Sequence, residues 1–188
     1  MTSKKKIIIN LIDYYEHQKK STEILNGVGD FLLSTKDKHD IEIISFCPDL
    51  TRNEDYLNNI IQGSNLKNEK IKIITEFENT KEFLKTFSKA NITVNMRYHG
   101  TLLSMVYGIP SINIIYDIHP HYPNKMNYLA KIFKEEEYFI NFTDVNNKNI
   151  KEMLLKANKN QLKIHEKIIK QEKIIKTKLE NNYKQIFK

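Results

Sequence analysis

Arg97 and His99, one residue apart and followed at once by Gly100, are the residues of this chain best suited to chemistry. A guanidinium presents a planar fork that matches a carboxylate or a phosphate. An imidazole gives or takes a proton near neutral pH. At an extended strand end the two side chains point the same way and Tyr98 is opposed, so one ligand could meet both. The same pair would equally serve architecture alone, with Arg97 pairing to a carboxylate and His99 capping a loop. A second polar cluster follows: Asp117, His119, His121, Tyr122, Asn124 and Lys125.

The elements around these residues must place them. Ile92–Met96 is a short apolar run, Thr101–Tyr107 is helix-like, Gly108-Ile109-Pro110 is a stop, and Ser111–Tyr116 is a second apolar run. Strand, turn, helix, turn and strand within about 25 residues is close to the minimum for a parallel crossover. The first polar cluster then sits between a strand end and a helix start, where ligands bind in open α/β sheets. The second follows the next strand, on the same sheet edge.

The rest of the chain repeats this alternation. Strands are expected over Lys6–Leu11, Ile41–Phe46, Ile71–Thr75, Ile92–Met96 and Ile112–Tyr116, with a short edge strand over Tyr138–Phe142. Helices are expected over Ser21–Leu33, Asn53–Gln62 (ended by Gly63), a segment capped by Asn79 or Thr80, and Met126–Phe133. Asp13-Tyr14-Tyr15 and Pro48–Arg52 read as loops. Gly27 and Gly29 lie within a helix pattern, so they do not form a phosphate loop. The fold class is therefore α/β, a Rossmann-like parallel sheet flanked by helices over residues 1–146. Residues 147–188 read as one long basic helix, longer than such a domain is wide.

The 188 residues carry a formal charge of +7 and no tryptophan. The charge suits an anionic ligand or partner, although much of it lies at Lys4-Lys5-Lys6 and in the tail, where it solvates. Cys47 is the single cysteine; it follows an apolar run and reads as a small core residue rather than a nucleophile. The apolar run after Lys4 is interrupted by Asn10 and Asp13 and lacks a cleavage site, and no segment is long enough to span a membrane. The expectation is a soluble cytoplasmic protein. His119-Pro120-His121 with Asp117 could ligate zinc, but spacing fixes no third ligand, so no metal or other cofactor is assigned.

Arg97-x-His99, the small-residue helix Leu102–Tyr107, Gly108-x-Pro110 and the strand Ile112–Tyr116 together resemble the C-terminal half of the polysaccharide pyruvyl transferase family. The resemblance is firm over Phe83–Tyr116, looser from Ile41 onward and weak in the tail. It implies one half of a glycosyltransferase-B-like enzyme that moves a pyruvyl group from phosphoenolpyruvate to a sugar of a surface polysaccharide. It further implies that Arg97 holds the donor's anionic groups, that His99 is the general acid, and that Gly100 lets the backbone approach the ligand. The family often places a Lys shortly after the strand Tyr, here Tyr116. That slot holds His119, so His119, His121 or Lys125 would supply the charge. The chain has room for one half only, so an N-terminal domain or a partner would complete the cleft.

Two other readings stand beside this one. A nucleotide-sugar glycosyltransferase half would need an acidic residue for a ribose, for which Glu135-Glu136-Glu137 is the candidate run, although it looks like a solvated helix end. A non-catalytic assembly module would use the C-terminal helix as its interface, in a homo-oligomer or on an anionic surface. Tyr183 is the only aromatic along the tail's apolar stripe, which argues against nucleic-acid readout.

Overall fold

The computed structural model describes residues 4–11, 17–35, 39–45, 50–118 and 122–186. Among these residues six strands are found: β1 (Lys5–Asn10), β2 (His39–Ile44), β3 (Ile71–Ile74), β4 (Ile92–Asn95), β5 (Ser111–Ile115) and β6 (Phe139–Asn141). They form one sheet in the order β3-β2-β1-β4-β5-β6, and every pairing is parallel. Among the described residues there are also seven α-helices, of which the first five lie between strands: α1 (Gln18–Ser34), α2 (Leu50–Gln62), α3 (Thr80–Phe87), α4 (Tyr98–Val106), α5 (Tyr122–Phe133), α6 (Asn147–Lys159) and α7 (Gln161–Ile186). The strand order reverses between β1 and β4, and a ligand crevice opens at such a switch point.

The two faces of the sheet differ in chemistry. Alternation places Ile7, Ile9, Ile41, Ile43, Ile92, Val94, Ile112 and Ile114 in the larger core cluster, with Ile24, Leu25 and Phe31 of α1 and Ile150 and Leu154 of α6. Ile8, Ile44 and Ile74 form a second, smaller cluster with Phe87 of α3 and Ile109. Beside that smaller cluster, the positions of β4 and β5 that share its face are polar: Thr93, Asn95, Ser111 and Asn113, all buried.

Up to residue 146 the expected strands and helices are present, with shifted ends. Helix α1 runs longer than expected despite its glycines. A Cβ on Gly27 would lie 2.6 Å from Ile150 Cβ, so the glycine is what lets α6 lie against α1. Asn79 caps α3, its side chain accepting from the Glu82 amide at 3.0 Å. Leu50–Arg52, expected in a loop, begin α2. The Asp13–Tyr15 loop, Pro48 and Cys47 lie outside the described residues.

The C-terminal segment, expected as one long helix, is two. Asn160 leaves helical geometry (φ −105°, ψ 16°) and ends α6, while its carbonyl already accepts from the Ile164 amide at 2.9 Å. The apolar stripe read as continuous serves two surfaces. Ile150, Leu154 and Ala157 of α6 face α1, while Ile164 and Ile168 of α7 are buried where that helix meets α4 and α5. A straight helix could not reach both, so the chain breaks between them. No helix among the described residues is long and apolar enough to cross a membrane.

Candidate functional site at the start of helix α4

Three asparagines stand in register across the centre of the sheet: Asn10 opposite Asn95, and Asn95 opposite Asn113. All three are fully buried. Asn10 Nδ2 donates to the Ile44 carbonyl at 2.8 Å. Asn95 Nδ2 lies 2.9 Å from Thr93 Oγ1, 3.0 Å from Ser104 Oγ and 3.3 Å from Asn113 Oδ1. Asn113 in turn donates to Ser111 Oγ at 2.8 Å. Ser104 Oγ reaches back to the Gly100 carbonyl at 2.9 Å. A buried polar net thus ties β4 and β5 to the first turn of α4; its Nδ2 and hydroxyl donors are engaged, while the Oδ1 atoms of Asn10 and Asn95 are buried without a partner among the described residues.

Above this net the chain turns from strand to helix. Arg97 is extended (φ −101°, ψ 137°) and precedes the first helical residue, Tyr98. The expected alternation of Arg97 and His99 along a strand therefore does not occur. The strand ends at Asn95, and His99 lies in the first turn of α4, exposed, with its ring edge-on to Tyr98 at 5.8 Å. Arg97 is half-buried, and its Nε is buried without a hydrogen-bond partner among the described residues. The Thr101 hydroxyl is likewise buried and unpartnered. The first backbone bond of the helix is Thr101 N to Arg97 O at 3.1 Å, so the amides of His99 and Gly100 precede the ladder. A Cβ on Gly100 would sit 2.7 Å from Asn95 Oδ1 and 3.3 Å from Asn10 Oδ1, so only glycine seats the helix this close to the net.

The end of β5 lies beside this turn, since β4 and β5 are neighbours. Tyr116 is buried, and its hydroxyl is 2.5 Å from His17 Nε2 at the start of α1. Phe142 packs edge-on or tilted against both rings. Asp117 accepts from the Thr143 amide at 3.2 Å and from its hydroxyl at 2.6 Å, which engages the carboxylate considered for a metal. Lys125 is exposed on the first turns of α5. His119 and His121 lie outside the described residues. The structure thus gathers Arg97, His99 and Gly100 in one turn and sets Tyr116 on the adjacent strand end, while Lys125 belongs to a separate helix.

The acidic run is not a solvated helix end throughout. Glu135 is only 2 % exposed, and Lys167 of α7 lies 2.9 Å from its Oε1. Burial raises the Glu135 carboxyl above the ordinary range, with Lys167 opposing. Glu137 pairs with Lys156 of α6 at 2.5 Å, and that bond holds its carboxyl below the ordinary range. These two acids dock the C-terminal helices. Glu136 remains exposed, in a groove of about 330 Å³ with Asn127, Lys131, Asn141 and Asp144.

Sequence reasoning missed Asn10, Asn95, Asn113, Ser104 and His17. The signal for three of them was present: Thr93-x-Asn95 and Ser111-x-Asn113 alternate at strand period, and Asn10 ends the first strand. Runs treated as apolar hid a polar face.

The chain is similar to a Thermobaculum terrenum O-GlcNAc transferase mutant (K341M) at a TM-score of 0.63 and 11% identity, covering 96% of this chain and 35% of that one. It is similar to a putative UDP-N-acetylglucosamine 2-epimerase from Listeria monocytogenes at a TM-score of 0.59 and 12% identity, covering 88% and 40%. It is also similar to the Methanocaldococcus jannaschii UDP-GlcNAc 2-epimerase, solved with UDP-GlcNAc and UDP, at a TM-score of 0.57 and 14% identity, covering 83% and 39%. These likenesses show a glycosyltransferase-B-like fold, and this chain spans well under half the length of each. No curated protein matches by sequence. A family model described as polysaccharide pyruvyl transferase matches residues 2–118. That extent corrects the expectation of a C-terminal half marked firmly only over Phe83–Tyr116: the match lies in the N-terminal two-thirds of this chain and takes in β1 through β5. With well over half of its residues matched, the chain belongs to the polysaccharide pyruvyl transferase family.

Proposed function

We propose that this chain is the donor-binding part of a sugar-directed transferase, and that the donor's phosphate or carboxylate docks at the start of α4. The observation that carries this reading is a pair of buried side-chain groups without a partner among the described residues, Arg97 Nε and the Thr101 hydroxyl, on either side of the first turn of the helix. An anion would satisfy them together, and the helix dipole favours negative charge at that end. Arg97 clamps the anion, Gly100 allows its close approach, and the exposed His99 supplies the proton. Tyr116, linked to His17, borders the site from the end of β5, and Lys125 adds positive charge from α5. The sugar acceptor comes from the open side of the cleft, which a second domain or a second copy would complete.

Two donors suit such a site. The family supports phosphoenolpyruvate: its methylene carbon gains a proton from His99, two sugar hydroxyls bond to the adjacent carbon and give up their protons, one restoring His99 and one leaving with phosphate, whose C–O bond breaks as Arg97 stabilises its charge. The breadth of likeness to enzymes described as acting on or bound to UDP-sugars supports a nucleotide-sugar. Glu135 and Glu137 are committed to lysines, so a ribose would need another acid.

A thermal-shift titration with phosphoenolpyruvate, UDP-sugars and plain phosphate, on wild type and Arg97→Ala, tests the reading, because a ligand of the folded state raises the melting temperature by mass action. A shift with phosphoenolpyruvate that Arg97→Ala abolishes supports pyruvyl transfer. A shift confined to UDP-sugars moves the donor to a nucleotide-sugar. No shift with any of the three removes the donor-site reading.

A further inference from the structure

The sheet beneath α4 is lined by buried polar side chains. Apolar side chains of similar size would cover the sheet at this point, as they do beside it at Ile8, Ile44 and Ile74. Instead three asparagines, two hydroxyl residues of the strands and Ser104 of the helix are buried together. Buried polar groups cost stability unless they find partners; here the donors find theirs, which fixes geometry more tightly than apolar contact does, while the Oδ1 atoms of Asn10 and Asn95 stay unpartnered among the described residues.

We propose that Asn95 is the positioning residue of the donor site, setting the first turn of α4, and with it Arg97, His99 and Gly100, at a fixed distance from the strand ends. This inference rests on the reading that an anionic donor binds at α4. The link is continuous: Asn113 Oδ1 accepts from Asn95 Nδ2, Asn95 Nδ2 lies 3.0 Å from Ser104 Oγ, and Ser104 Oγ bonds the Gly100 carbonyl at 2.9 Å. Thr93 Oγ1 braces the same point, 2.7 Å from Ser104 Oγ. On its other side Asn95 presents Oδ1 to the space that the missing Gly100 side chain leaves. Asn95 touches no ligand in this arrangement. It acts through the helix, and its role is to hold the His99 and Gly100 amides and the Arg97 fork in one alignment.

The test uses the full chain and two independent readouts. Ser104→Ala cuts the bond to the Gly100 carbonyl with little loss of volume. Thr93→Val removes the brace without changing shape, and Thr93→Ser restores its hydroxyl. Asn95→Ala is the direct variant, and the other three keep the test alive if it does not fold. The first readout needs no ligand: amide exchange at Thr101, the first helical bond of α4, is expected to accelerate in Ser104→Ala and Thr93→Val relative to amides in α1, and to return in Thr93→Ser. The second is affinity for phosphate, phosphoenolpyruvate and UDP. It is expected to weaken about tenfold in Ser104→Ala, as if one charge-assisted hydrogen bond were misaligned. Folded variants with unchanged Thr101 exchange and wild-type affinity overturn the positioning role. A wild type that binds none of the three probes overturns the donor reading, while the exchange readout still decides whether the net fixes α4.

Discussion

His165 Nδ1 lies 2.8 Å from the carbonyl oxygen of Gly108, so the ring donates to the residue that ends α4 and pins α7 to it. Gly108 is left-handed (φ 63°), and the amides of Gly108 and Ile109 return to Met105 and Ser104 at 3.3 and 2.8 Å, which closes the helix. A Cβ there would stand 2.6 Å from His165 Nδ1. Gly108→Ala therefore meets two costs: about 1–2 kcal/mol for an L-residue in that backbone region, and roughly 1 kcal/mol for the displaced His165 bond. In a His165→Ala background only the first cost remains. A double-mutant cycle by urea unfolding measures the difference. Equal costs in both backgrounds would show that His165 is not what holds α7 at this point.

Gly27 and Gly63 make opposite predictions from the same substitution. Alanine in a helix is favoured over glycine by about 1 kcal/mol. At Gly27 the new methyl would meet Ile150 Cβ at 2.6 Å and the Asn147 carbonyl at 2.8 Å, neither of which can rotate away. Overpacking of that kind costs about 1–3 kcal/mol or more, so Gly27→Ala is expected to lower stability and to loosen α6 from α1. Gly63, expected to cap α2, follows it without a left-handed backbone, and its nearest neighbour would be 3.5 Å from a Cβ. Gly63→Ala is expected to be neutral or slightly stabilising, by about 0.5 kcal/mol. Melting temperatures of the two variants settle the contrast.

The reasons why some features were legible in the sequence are visible in these residues. Strand and helix alternation, the Asn79 cap and the Gly108-Ile109-Pro110 stop depend on local chemistry, and local chemistry can be read from a string. The start of α4 could not be placed that way, because Arg97 reads equally as the last strand residue or as a helix cap until the end of β4 is known. The asparagine row depends on register between strands far apart in sequence, Asn10 with Asn95 with Asn113. The break at Asn160 depends on which surfaces the two halves of an apolar stripe must reach. Glu135 looked solvated because its partner, Lys167, is 32 residues further on (167 minus 135) and arrives only when α7 folds back.

Glu135 also gives the protein a pH-dependent term whose sign can be worked out. Its folded carboxyl is raised above the ordinary value of 4.5, chiefly by burial. Below that value the group is protonated in both states and carries no penalty. As pH rises through the raised folded value, the unfolded chain has already released its proton and the folded chain must ionise a buried group, so stability falls. Glu135→Gln keeps the shape and an oxygen for Lys167 but cannot ionise. The stability difference, variant minus wild type, is therefore expected to rise between about pH 4 and neutrality. Urea unfolding at several pH values measures it. A difference that stays flat would mean that Lys167 compensates the buried charge fully.

Gly100 is where stability and function are tied most closely. Alanine would again gain helix propensity of about 1 kcal/mol. Its Cβ would fall 2.7 Å from Asn95 Oδ1, and Asn95 cannot swing aside because its Nδ2 is held by Thr93 and Ser104 at 2.9 and 3.0 Å. The contact must be relieved by lifting α4 from the sheet, at a cost of about 1–3 kcal/mol. Lifting the helix also moves the His99 and Gly100 amides and the Arg97 fork, so Gly100→Ala is expected to lose both stability and affinity for a phosphate-bearing ligand. Shortening the obstacle should reverse part of the stability loss only: Asn95→Ser in the Gly100→Ala background removes the oxygen that the methyl strikes, but it also removes the Nδ2 that holds Ser104, so affinity is expected to stay low. Unfolding and ligand titration of the single and double variants test this together. A double variant less stable than the sum of its parts would show that the clash with Asn95 is not the cause.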